Sequence, residues 1–265
     1  MAIRERICVI GAPGTGKTYQ WLNIAQALPK ATFHVIDPDD GVERVRVAEF
    51  PDLKNINYYF TPSWFEDLKP IGDRRWEGGV DKAAQKILRE HKEGDWIILE
   101  HMGAQWDMVQ SAFTDEVFEK DIGKYFLERR KAQSPRSSRV EAFDGWKDWV
   151  VIKKLHNEDY IDKMCYRTKA HLYITSSFSM TTDRMASRED PELQEFYVGT
   201  RIRIDGEKRL PFKVHTILLF TGNKETGWKM STFQKERGRR WLKGVSLNNL
   251  YVQYLGMVAG WPLRT

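Results

Sequence analysis

Cysteine is scarce in this chain of 265 residues: there are two, Cys8 and Cys165. Two thiols exclude a disulfide framework and a four-thiolate zinc site. The six histidines show no HExxH or other ligand spacing, so no zinc centre is expected. Nor does any apolar run approach the ~18 residues of a membrane helix, and the mean hydropathy is −0.57. The opening MAIRERICVI has two arginines and a short apolar stretch, without the cleavage region of a signal peptide. Charge of one sign is not in large excess. Lys and Arg number 42 against 37 Asp and Glu, a net charge of +5, which permits nucleic-acid binding without deciding it. The expectation is a soluble cytoplasmic protein with no membrane partner. Hydrophobic residues at 41% and charged residues at 30% can fill a core and exclude wholesale disorder. With no internal repeat, low-complexity tract or linker, residues 1–265 read as one domain.

What is present alternates short apolar runs with amphipathic segments, the pattern of an α/β fold. Strands are predicted at Ile7–Ile10, Thr32–Ile36, Ile56–Phe60, Asp95–Glu100 and Ala170–Thr175. Val214–Thr221 and Trp228–Phe233 read as a late hairpin. Helices are predicted from Lys17 to about Leu28, over Gly41–Phe50, Ser63–Leu68 and Asp81–His91, around Trp106–Phe113 and Phe118–Lys131, and over Trp146–Arg167. The polar stretches Ala132–Arg139 and Ser176–Thr200 read as long loops, the second too long for an ordinary connection. Most of the ten tryptophans, Trp96, Trp146 and Trp149 among them, fall in apolar patterns and read as core. Cys8 does too.

One motif is specific. Gly11-Ala12-Pro13-Gly14-Thr15-Gly16-Lys17-Thr18 matches G-x-x-x-x-G-K-[ST], with a predicted strand before it and a helix after it. Glycines let successive backbone N–H groups converge on phosphate oxygens, and the helix N-terminus adds its positive dipole end. Lys17 then reaches the β- and γ-phosphates, and the Thr18 hydroxyl ligates Mg²⁺. The expected ligand is a nucleoside triphosphate, ATP with Mg²⁺.

Hydrolysis further needs a carboxylate on the metal side and another to orient water. Two strand-end groups offer them: Glu100 after Trp96-Ile-Ile-Leu99, and Asp37, Asp39 and Asp40 after Phe33-His-Val-Ile36. In a parallel sheet these ends lie along one edge, so both groups can face the phosphate loop. Turn chemistry also accounts for D-P-D-D-G.

The order of these motifs resembles the RecA/KaiC/RadA group of P-loop ATPases, particularly short phage-encoded RecA-like recombinase and annealing proteins. The resemblance implies a RecA-like α/β core with a mostly parallel sheet flanked by helices and a C-terminal β-hairpin. In that group the second strand ends in hydrophobic-Asp-x-Glu-x-Gly, whose Glu is the catalytic base. Val35-Ile-Asp37-Pro-Asp39-Asp-Gly41 aligns with it and puts Asp39 in that role. Glu100 matches the metal-side acid, which would hold Mg²⁺ through water. The exchange of Asp and Glu at these two positions departs from the family pattern. Leu172-Tyr-Ile-Thr-Ser176-Ser177 matches the strand ending in a polar sensor, and Gly206-Glu-Lys-Arg-Leu-Pro211 is similar to the phage members. Lys235-Glu-Arg237-Gly238 resembles the segment that reaches a neighbouring subunit's γ-phosphate, which implies a homo-oligomer, ring or filament, with shared ATP sites. Spacing by two along a strand would point Lys235 and Arg237 to one face.

The resemblance also implies two loops that contact single-stranded DNA. By position they are Lys131–Arg139, with Arg136 and Arg139, and Ser176–Thr200, with Arg184 and Arg188. Mixed acids interleave in the second, as on an ordinary solvated surface. The leading expectation is an ATPase acting on single-stranded DNA in phage-type recombination or annealing. The alternatives are a DNA packaging or translocation motor and, below that, a small-molecule kinase.

Overall fold

The computed structural model describes residues 4–132, 147–180, 202–223, 225–237, 241–257 and 259–261. Its frame is a sheet that is ten-stranded among the described residues. In chain order the strands are β1 (Arg6–Gly11), β2 (Phe33–Asp37), β3 (Ile56–Ser63), β4 (Lys69–Gly72), β5 (Arg75–Gly79), β6 (Trp96–Leu99), β7 (His171–Ser176), β10 (Thr216–Asn223), β11 (Gly227–Glu236) and β12 (Val245–Ser246). Between them, β8 (Phe178–Met180) and β9 (Ile202–Ile204) make a separate antiparallel ribbon. The sheet order is β12-β11-β10-β1-β7-β6-β2-β3-β5-β4. From β10 across to β5 neighbours run parallel, while β4, β11 and β12 pair antiparallel at the two edges.

Helices cover both faces, so the central strands are buried on both sides and read as continuous apolar runs rather than alternating ones. All of β6 and β7, and β1 after Arg6, are buried. On one face lie α1 (Lys17–Ala27), α2 (Gly41–Glu49) and a π-helical turn, α8 (Tyr251–Gly256), over a core that includes Val9, Trp21, Val35, Trp96 and Tyr254. The other face carries α3 (Val80–Glu90), α4 (Met102–Phe118), α5 (Ile122–Ala132) and α6. That last helix runs in three pieces: Lys147–Lys153, a π-helical stretch Lys154–Ile161, and Asp162–Tyr166. Core residues on this side include Cys8, Ile97, Leu99, Met102 and Tyr160. The short α7 (Leu210–Lys213) leads into β10. In α3, Val80, Ala83, Ala84 and Ile87 form the buried stripe at i, i+3, i+4 and i+7.

Several sequence expectations need correction: Phe178–Met180, expected in a loop, is strand β8, and Phe118, expected to open a helix, ends α4. Ser63–Leu68 is not helical. Its backbone bonds instead to the following segment, with Gly79 N–H donating to the Glu66 carbonyl at 2.8 Å and Asp81 N–H to the Trp64 carbonyl at 3.1 Å. Trp64, buried in the core, anchors this course, and the unforeseen β4–β5 ribbon follows. The helix expected around Trp106–Phe113 starts earlier, at Met102, directly after the strand that ends beside Glu100. No helix among the described residues is long and apolar enough to cross a membrane.

Candidate functional site

Because β1, β2, β6 and β7 are parallel, their C-terminal ends share one edge, and everything singled out there converges. The loop 11–16 leaves β1 and enters α1. Gly14 (φ 78°) and Gly16 (φ 86°) take left-handed backbone angles that L side chains resist. At Gly11 a Cβ would lie 2.5 Å from Thr15 Oγ1 and 2.8 Å from the Phe220 carbonyl oxygen, so the turn closes only with glycine there. Gly16 caps α1 without a side chain, leaving the N-terminal turn open to an anion. Tyr173 on β7 donates its hydroxyl proton to the Lys17 carbonyl at 2.9 Å and fixes the helix start against the sheet.

Lys17 folds back over the loop. Its ammonium donates to the Gly11 carbonyl at 2.7 Å and the Ala12 carbonyl at 3.0 Å. Burial holds its pKa below the ordinary lysine value, against the opposing pull of Glu100.

Glu100 is buried and doubly held. Thr18 Oγ1 donates to one carboxylate oxygen at 2.5 Å, and the Trp21 indole N–H donates to the other at 3.1 Å. Burial pushes its carboxyl up to about 7, against the lowering effects of Thr18, Trp21 and Lys17. Thr18 and Trp21 sit at i and i+3 on one face of α1, which brings both donors to the same acid. That spacing was the available signal for Trp21, which sequence reasoning did not single out. This donor set fits Mg²⁺. The metal keeps most of its water and takes one or two protein oxygens plus substrate phosphates. Among the described residues no group of three or more His, Cys, Asp or Glu could cage an ion by itself.

The three aspartates after β2 separate by environment. Asp37 is fully buried and accepts from Val42 N–H at 3.0 Å, from the Tyr58 hydroxyl at 2.9 Å and from Asp39 N–H at 3.3 Å. Burial first, then Asp39, raises its pKa. Asp40 accepts from the same Tyr58 hydroxyl at 2.7 Å. Asp39 is exposed, and of the three it is the carboxylate whose charge reaches Glu100 and His101.

His101 and Asp205 complete this edge, and sequence reasoning missed both. Burial and Lys17 lower the pKa of His101, while Asp39, Asp205 and Asp107 oppose them. Ser176 Oγ donates to the Asp205 carbonyl and Ser177 Oγ to its carboxylate, each at 2.6 Å. The two strand-end hydroxyls thus hold the residue that follows β9.

Lys235 and Arg237 do not join this edge within one chain. Both act on His215, which pairs with Arg6 at the start of β1. They therefore lie at the opposite end of β1 from Gly11, roughly 16 Å of strand away. Gln234 at φ 54° interrupts the pleat just before them, and β11 ends at Glu236, ahead of Arg237. Lys235 is tied down within its own chain. It is half-buried, donates to the Pro211 carbonyl at 2.6 Å, and is lowered to about 8 by burial and the neighbouring arginines. Arg237 is exposed. Arg136, Arg139, Arg184 and Arg188 lie outside the described residues. No protein-family model matches the chain, and a search of curated proteins returned no match.

Proposed function

We propose that the chain is a RecA-like, Mg²⁺-dependent ATPase that acts on single-stranded DNA as a homo-oligomer with shared ATP sites. The observation that carries the reading is the bond between Thr18 Oγ1 and Glu100 Oε1. It joins the phosphate loop to the acid of a strand that is not its neighbour, because β7 lies between β1 and β6.

In this reading, backbone N–H groups of residues 11–18 and the Lys17 ammonium bind the β- and γ-phosphates. Mg²⁺, held by Thr18 and through water by Glu100, would neutralise charge on the phosphate oxygens. Asp39 orients the attacking water and takes up its proton, as a carboxylate with free access can. Ser176 and Ser177 report on the γ-phosphate through Asp205, next to the β8–β9 ribbon. Arg237, with Lys235 beside it, faces a second copy and stabilises charge developing on the γ-phosphate bound there. Arg136, Arg139, Arg184 and Arg188 neutralise DNA phosphates, an interaction that weakens with salt.

Steady-state phosphate release tests the reading, measured alone, with single-stranded DNA and with duplex. The expected result is Mg²⁺-dependent turnover that single-stranded DNA raises several-fold and duplex does not. Stimulation by duplex alone would overturn the recombination reading in favour of a translocating motor. No turnover under any condition would overturn the ATPase.

A further inference from the structure

Glu100 is gripped from both faces of the sheet. From the side of α1, Thr18 and Trp21 hold its carboxylate. Its backbone N–H donates to the Ile36 carbonyl of β2 at 3.0 Å. Its carbonyl is taken from the opposite face, where Gln105 Nε2 donates to it at 3.2 Å. Gln105 lies in the first turn of α4, with its own N–H on the His101 carbonyl at 3.2 Å, so its side chain reaches back to the residue where β6 has just ended. Tyr160 of α6 then donates its hydroxyl proton to Gln105 Oε1 at 2.7 Å. We propose that Gln105 and Tyr160 are positioning residues for Glu100, and that through them the π-helical stretch of α6 sets where the carboxylate meets the water shell of Mg²⁺. The proposal rests on reading Glu100 as the metal-side acid.

These hydrogen bonds can run in one direction only. A carbonyl accepts and never donates, so the amide nitrogen of Gln105 must face Glu100 and its oxygen must face Tyr160. Burial raises the Tyr160 phenol well above its ordinary value, which keeps the proton there to be given. Gln105 is wholly buried and Tyr160 all but so, and neither can turn to water instead. Their surroundings are apolar. Met102 and Ile161 belong to the same core as Tyr160, and Trp64 meets the Tyr160 ring edge-on at 5.6 Å. Polar groups in such a place cost stability unless each is satisfied, and once satisfied they fix one geometry. Packing alone would be served as well by apolar side chains of the same size.

The backbone of α6 is irregular where Tyr160 sits. Residues Lys154–Ile161 form wider π-turns inside an otherwise α-helical segment, and such turns are frequent at functional sites. Within them His156 and Tyr160 both turn inward against Trp64. Removing the outer support of a metal's ligand typically costs about 10- to 100-fold in metal affinity or activity. Here the acid acts through water and the support holds its backbone, so the effect belongs at or below the lower end.

The test is calorimetric titration of ADP, with Mg²⁺ and with EDTA in its place, into the wild type, Tyr160→Phe, Gln105→Met, Glu100→Gln and Ile161→Val. The ratio of the two affinities isolates what the metal adds. Ile161→Val is the control, since it trims one buried carbon from the same helix beside Tyr160 without touching the hydrogen bonds. The metal gain of the wild type should fall about fivefold or more in Tyr160→Phe and Gln105→Met, as in Glu100→Gln, with affinity in EDTA within about twofold of wild type. Ile161→Val should keep the gain. Should Gln105→Met fail to fold, Tyr160→Phe, which removes a single oxygen atom, decides alone. A wild type to which Mg²⁺ adds nothing, or a Glu100→Gln variant that keeps the gain, would overturn the reading of Glu100 and this proposal with it. An undiminished gain in Tyr160→Phe, with Glu100→Gln having lost it, would overturn the positioning role and leave the metal-side acid standing. A loss that Ile161→Val shares, or that appears equally in EDTA, would overturn it as well.

Discussion

Glu100→Gln is expected to abolish ATP turnover and, at the same time, to make the nucleotide-free protein harder to unfold at pH 8. The two effects have one cause. Burial raises the Glu100 carboxyl from 4.5 to about 7. Between these values the unfolded chain has released the proton and the folded protein keeps it, so stability falls as pH rises through this window. Above 7 the full penalty applies, about 3 kcal/mol. Glutamine carries no charge and escapes it. The Trp21 N–H can still donate to the amide oxygen, and the Thr18 hydroxyl can turn to accept from the amide nitrogen. Urea unfolding should find the variant more stable by on the order of 1–3 kcal/mol at pH 8, with the difference vanishing near pH 4. Turnover should fall about 100-fold or more, since the metal-side charge is gone. A variant that unfolds more easily at pH 8, or that hydrolyses ATP normally, contradicts the assignment.

Asp39→Asn should lose turnover by roughly 100- to 1,000-fold while keeping ATP affinity, the size of effect typical for a general base. Its neighbours should behave differently. Asp37 accepts three hydrogen bonds in full burial, so near pH 4, where its carboxyl is neutral and no buried charge is relieved, Asp37→Asn puts an amide where N–H and O–H donors converge and lowers stability by about 1–3 kcal/mol. Asp40→Asn should retain turnover, because an amide oxygen can still accept from the Tyr58 hydroxyl and asparagine tolerates the left-handed backbone at φ 54°. Phosphate release and chemical unfolding of the three variants separate these roles. Loss of turnover in Asp40→Asn with normal turnover in Asp39→Asn would move the base by one residue.

The parts of the site legible in the sequence are those whose physics is local. The phosphate loop is eight consecutive residues whose glycines, lysine and threonine act on one another. Glu100 was legible because a wholly apolar run, Trp96–Leu99, ends at it, and a buried parallel strand has that pattern. The sequence pattern could not say which aspartate's charge reaches Glu100. Tyr58 decides that by tying up Asp37 and Asp40, and it lies on another strand. Asp205 was hidden for the same reason, since its partner Ser177 is 28 residues away. Ser63–Leu68 misled because its apolar spacing suits a helix, yet backbone bonds to Gly79 and Asp81 hold it extended across the sheet edge. At Lys235 strand periodicity carried no information on the partner, because the Pro211 carbonyl that takes its ammonium belongs to another element.

The central claim is that the loop from Gly11 to Thr18 binds a nucleoside triphosphate, and direct titration of Mg·ATP into the wild type and Lys17→Ala tests it. The Lys17 ammonium bonds to two carbonyls of its own loop and to no other element, so its removal should leave the unfolding midpoint in place. The wild type should bind, and the variant should bind between about 10 and 100 times more weakly, the cost of losing a charge-assisted bond to phosphate. Equal affinity in the two proteins, with both folded, would contradict the account.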